Sequence, residues 1–186
     1  MAYEVIIFRT TCFCFFNSFP AASGVELMSE FPSESHQMLK PFEGTFRAEV
    51  KLWFGPGEPQ VSTGTMTNTF ELNHQFLSQS YQGDADDGPF PNFQGRGYWG
   101  YNTAANQFEG FWVDTASTIM MNETGEVDES GKVWTMCGEF HNPQDGQVMK
   151  KRSVITLVDD QSHVMEQFIE SAQGEFKTME IRYERA

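Results

Sequence analysis

Residues Phe93 to Asp114 read FQGRGYWGYNTAANQFEGFWVD, two aromatic-rich runs joined by a turn. Tyr98, Trp99 and Tyr101 in the first run, and Phe108, Phe111, Trp112 and Val113 in the second, suit the pleated surface of a strand. Between them lies Asn102-Thr103-Ala104-Ala105-Asn106. Asparagine tolerates positive φ and bonds its own backbone, so the chain reverses there and the stretch is a β-hairpin. Gly95, Gly97, Gly100 and Gly110 lie inside its strands. Glycine weakens a strand unless the strand bends or another group approaches its backbone, so this many in one hairpin point to a coiled sheet closing on itself. Gly95-Arg96-Gly97-Tyr98-Trp99-Gly100 also fits the dinucleotide pattern G-x-G-x-x-G. That pattern needs a helix after it, and here a turn and a second strand follow.

The flanking sequence continues the same pattern. Phe46, Ala48, Val50, Leu52 and Phe54 alternate with Arg47, Glu49, Lys51 and Trp53, which predicts one buried and one wet face. Further strands are predicted over Val61–Leu72, Phe76–Gln82, Phe93–Tyr101, Phe108–Asp114, Ile119–Thr124, Val133–Phe140, Met149–Val158, Val164–Glu170 and Phe176–Glu184, separated by Gly-, Pro-, Asn- and Asp-rich turns. No segment after residue 42 sustains a helical period, so crossover helices are missing and neighbouring strands run antiparallel. Pro32 to Lys40 predicts a short lead-in helix with Ser33 as its N-cap and Pro41 as its stop. About ten sequential antiparallel strands can form a sandwich or an up-and-down barrel, and the expected all-β fold is the barrel, the arrangement that abolishes both sheet edges.

Composition narrows the partners. The formal charge is −14, which argues against nucleic acid and against an anionic membrane surface, because both reward clustered Lys and Arg. Lys150-Lys151-Arg152 is the longest basic run and reads as a solvated strand with one inward residue. Cys12, Cys14 and Cys137 make neither a disulfide framework nor a zinc pattern. A reducing, cytoplasmic setting is the default expectation. Residues 1–27 are nearly uncharged and read as an extension outside the fold. They are sequence upstream of a start at Met28, a poor signal peptide that would export the protein, or a structural segment. Residues 28–42 then form the helical lead-in and 43–186 the barrel domain.

Gly44-Thr45-Phe46 after a short helix resembles the Gly-x-Trp opening of lipocalin-like (calycin) proteins, with Phe in place of Trp. Gly55-Pro56-Gly57-Glu58-Pro59, the segment Gly95 to Asn102, Glu109 to Thr118, Trp134-Thr135-Met136, Lys151 to Ile155 and Met179 to Arg185 resemble a bacterial family of uncharacterised single-domain proteins placed with those barrels. The resemblance implies a fold and no assigned function.

A barrel of this size holds one small ligand or is filled by its own side chains. Alternation groups Trp112 and Asp114 with Phe108 and Gly110, and Arg96 with Tyr98 and Gly100. Facing a lumen, Arg96, Tyr98, Trp112 and Asp114 would make a ligand pocket with polar tips and aromatic walls. The alternative is that Arg96 and Asp114 form a structural pair or lie outside. No catalytic constellation is visible. An enzyme would have to use Asp114 as base with Tyr98 or Arg96 polarising the substrate. A filled barrel would instead self-associate, as a homodimer, through an exposed aromatic face such as that of Trp53. His36, His74, His141 and His163 lack metal spacing, and no metal is expected. Haem enters only by analogy with ten-stranded relatives of lipocalins that bind it through a single late histidine. His163 is the candidate by position, against its plainer reading as a surface-turn residue. Asp84-Ala85-Asp86-Asp87-Gly88 reads as an acidic turn rather than a calcium loop, because the closing glutamate is absent. Cys137 is expected in the core with Val133 and Thr135.

Overall fold

A computed structural model describes residues 32–85, 88–143, 145–171 and 174–186. The readings of residues 1–27, and the start of the lead-in, lie outside the described residues. A short helix α1 (Glu34–Gln37) and a 3-10 turn (Lys40–Phe42) precede the strands. Ser33 is the N-cap of α1, and its N–H donates to Nδ1 of His36 at 3.2 Å. Pro41 does not stop a longer helix as expected. It sits within the 3-10 turn, where its fixed φ is compatible and no N–H is needed.

Ten strands follow: β1 (Gly44–Leu52), β2 (Gln60–Glu71), β3 (Phe76–Gly83), β4 (Gln94–Asn102), β5 (Gln107–Asp114), β6 (Met121–Val127), β7 (Val133–His141), β8 (Val148–Leu157), β9 (Ser162–Ser171) and β10 (Gly174–Arg185). Each pairs with its sequence neighbours, and β1 pairs with β10 from Phe46↔Arg185 to Leu52↔Met179, closing an up-and-down antiparallel barrel. No helix among the described residues is long and apolar enough to cross a membrane.

The hairpin of Phe93–Asp114 shows what its glycines do. On the inward face, β4 and β5 pair Gly97 with Trp112 and Trp99 with Gly110. Each indole thus lies against a residue without a side chain. A Cβ at Gly110 would fall 2.4 Å from Cδ1 of Trp99, closer than any carbon contact allows, so the sheet holds two tryptophans on adjacent strands only because glycines face them.

One end of the barrel is plugged. Leu39 and Phe42, from the lead-in, pack with Leu77, Trp99, Phe108 and Trp134 into a buried cluster. Fully burying each such side chain stabilises the fold by about 1.5–3 kcal/mol. Arg185 ties the lead-in to the last strand: its guanidinium donates to the carbonyls of Glu43 (2.8 Å) and Pro41 (2.9 Å) and lies 4.5 Å over the ring of Phe46. Gly44, at φ +124°, lies directly beneath this guanidinium. Both its backbone angle and the close approach exclude a side chain there.

Two further sequence expectations are corrected. Phe54 is not the last inward residue of β1, which ends at Leu52, and it is 66% exposed in the loop beyond. Cys137 is exposed rather than in the core, because Trp134 and Met136 take the inward positions of β7. A strand has room inside for one parity only, and the larger apolar side chains claim it.

Candidate functional site

The barrel encloses a cavity of about 310 Å³. Helix and 3-10 turn close its lower end, and the β1–β2, β3–β4 and β5–β6 loops surround its mouth. An aromatic series leads inward from that mouth: Phe54 to Phe90 (6.3 Å between centroids), Phe90 to Phe93 (6.3 Å), and Phe93 to Tyr81 (5.7 Å). Inside, Val50, Met66, Trp99, Trp112, Ile155 and Ile181 give largely apolar walls.

The four residues singled out in the sequence do not share one face. Trp112 and Asp114 line the cavity. Asp114 is fixed near the mouth: one carboxylate oxygen accepts from the amides of Ala116 (3.0 Å) and Ser117 (3.1 Å), the other from Nε1 of Trp112 (3.1 Å). Arg96 and Tyr98 point outward, as the register demands, since Arg96 pairs with Val113 and Tyr98 with Phe111 while Gly95 and Gly97 occupy the inner face. Arg96 donates to the carbonyls of Gly95 (2.7 Å) and Tyr81 (3.2 Å). Tyr98 stacks on Phe111 and donates to Glu71 at 2.8 Å. A pocket joining Arg96 to Asp114 is therefore not formed. Trp53 also sits outside, with the Lys177 ammonium 5.6 Å above its ring.

Several inward polar residues escaped the sequence reading. His163 is not in a surface turn: it is 5% exposed, the second residue of β9, and lines the cavity. Its ring stacks on that of Tyr183 (4.5 Å, 18°), its cross-strand partner, and meets Phe42 and Phe46 edge-on. Burial, helped by the positive charge of Arg185, pushes its pKa down to about 3, so the imidazole is neutral. The Tyr183 phenol is likewise pushed up by burial, with a smaller push from Tyr81. Among the described residues, neither the imidazole of His163 nor the hydroxyl of Tyr183 has a hydrogen-bond partner, and Oδ1 of Asn68 is a further unsatisfied acceptor. The parity that puts Met165 and Ile169 inside would have revealed His163 had the strand been started earlier.

Lys151 is the one inward residue of the basic run. Its ammonium lies 3.0 Å from Glu123, and Glu123 also accepts from the hydroxyl of Ser153 at 3.2 Å. Gly138, the β7 partner of Lys151, lies between the two strands that carry the pair, and a Cβ there would fall 2.3 Å from the carbonyl oxygen of Asn122 on β6. In the acidic turn, Asp84 ion-pairs with Arg47 and accepts from Thr63, which lowers its pKa to about 2. Among the described residues no group of three His, Cys, Asp or Glu side chains is placed to hold a metal ion.

Comparison with known proteins places this architecture. The structure of Rv2717c from M. tuberculosis superposes with a TM-score of 0.58 at 14% identity, covering 83% of this chain and 98% of that one, a likeness that extends to the fold alone. A redesigned β-barrel matches with a TM-score of 0.42 at 17% identity, over 81% of this chain and 96% of its own. No curated protein matches by sequence. The family model described as "Protein of unknown function (DUF1579)" matches residues 31–185, and the chain belongs to that family.

Proposed function

We propose that the protein is a binding module that holds a small, partly apolar molecule in the barrel lumen. The observation that carries this reading is the cavity of about 310 Å³, plugged at one end and reached through an aromatic mouth at the other. Small-molecule sites are concave, mostly apolar and equipped with a few convergent polar groups, and the lumen has that composition. A filled, self-associating barrel has less in its favour, since the interior is not filled. The enzyme reading loses its proposed polarisers, because Arg96 and Tyr98 are outside while Asp114 is inside.

Thermal-shift titration of the full chain with fatty acids, isoprenoids, flavins and hemin tests the proposal. At least one class should stabilise the barrel saturably, by about 2.7 kcal/mol at a hundredfold excess over Kd. A flat response across the panel would overturn it.

A further inference from the structure

The polar groups inside the lumen differ in kind from those at its entrance. Among the described residues, every charged side chain on the cavity wall is already engaged. Lys151 is held by Glu123 at 3.0 Å, Glu123 also takes the Ser153 hydroxyl, and the Asp114 carboxylate is occupied by two amides and an indole N–H. An anionic head would meet no free cation there, inside a protein of formal charge −14. Past the mouth, where Asp114 sits, a cationic head would meet no carboxylate without a cationic partner among the described residues, since Glu123 is paired with Lys151. Either would be stripped of water without compensation, which is costly in an apolar enclosure.

What remains open is neutral. His163 and Tyr183 are each 5% exposed, line the cavity side by side on β9 and β10, and lack partners among the described residues. Buried polar groups are normally hydrogen-bonded, and an orphaned pair facing a cavity has its partner supplied from the cavity. The Tyr183 hydroxyl can donate or accept, and a neutral imidazole offers one of each.

We propose that the lumen selects uncharged molecules with a flat apolar body and a single hydroxyl or carbonyl end, and that His163 and Tyr183 receive that end. This rests on the lumen being the binding site. The ring walls of Trp99, Trp112 and Tyr81 suit a planar body, and the apolar mouth admits it without a charged guide.

Calorimetric titration of the full chain at neutral pH with 2-naphthol, 2-naphthoate, 2-naphthylmethylammonium and naphthalene tests the class of ligand. The alcohol should bind saturably, with both charged probes at least tenfold weaker. Tyr183→Phe should weaken the alcohol several-fold and leave naphthalene unchanged, which separates loss of the hydroxyl contact from loss of the fold. Equal or tighter binding of either charged probe would overturn the inference, as would a parallel loss of alcohol and naphthalene in the variant. If no naphthyl probe binds while another class in the thermal-shift panel does, this inference fails and the lumen reading stands. If nothing binds, both fail.

Discussion

The indole of Trp112 lies across the backbone of Gly95, so close that a β-carbon on Gly95 would fall 2.0 Å from Cζ2 of the ring. The same indole donates to Asp114 at 3.1 Å, so a single contact fixes the wall of the cavity and the carboxylate near its mouth.

Gly95→Ala should therefore behave as an overpacking substitution in the core. We expect a loss of about 1–3 kcal/mol, read as a lower midpoint in chemical denaturation. The Trp112 ring has to move, so the tryptophan emission of the folded state should shift as well. An unchanged midpoint and spectrum would contradict the close contact.

Lys151 and Glu123 are the buried ion pair of the wall, with side chains only 6% and 9% exposed. Removing one partner leaves the other charged and unpaired, which costs about 3–5 kcal/mol, whereas replacing both with groups of similar shape is often nearly neutral. Lys151→Met alone should be strongly destabilising. The double variant Lys151→Met with Glu123→Gln should recover most of the loss in a double-mutant cycle.

His163 predicts a particular pH dependence. Its folded pKa, about 3, lies below the unfolded value of 6.5, so between those values the unfolded chain binds more protons and stability falls as pH is lowered. The slope approaches about 1.4 kcal/mol per pH unit for one such group. Between pH 6.5 and 5, before most carboxylates titrate, this loss should be visible in urea unfolding and shallower in His163→Phe. His36, whose pKa is also lowered by burial, contributes in the same window, so the His163 share is the difference between the two proteins. Identical slopes would refute the assignment.

Arg96 and Tyr98 on one side, and Trp112 on the other, separate outer from inner face. Arg96→Ala and Tyr98→Phe touch only the outside and should leave affinity for any lumen ligand unchanged, with stability effects within about 0.5 kcal/mol, as for ordinary surface positions. Trp112→Ala enlarges the cavity and should change affinity and selectivity as well as destabilise the fold. Calorimetry with whichever panel compound binds provides the comparison.

The alternation of Phe46, Ala48 and Val50, the hairpin of Phe93–Asp114 and the turn residues between strands determined by themselves that the chain is a series of antiparallel strands and favoured a barrel over a sandwich, while the pairing of β1 with β10 decided closure. Those signals are local: period, turn chemistry and the absence of helical crossovers act within a few residues of one another. They grouped Trp112 with Asp114 and Arg96 with Tyr98, but only the register between β4 and β5 put the two groups on opposite faces. Which of those sets faced the lumen was decided only by closure, because parity gives two faces and no direction. The indoles of Trp99 and Trp112 could turn inward because Gly110, Gly95 and Gly97 lay across from them on the neighbouring strand. His163 beside Tyr183, and Lys151 reaching Glu123 past Gly138, likewise depended on register between strands. A polar residue is worth burying only against what the tertiary structure brings opposite it, and that partner is not written in its own strand.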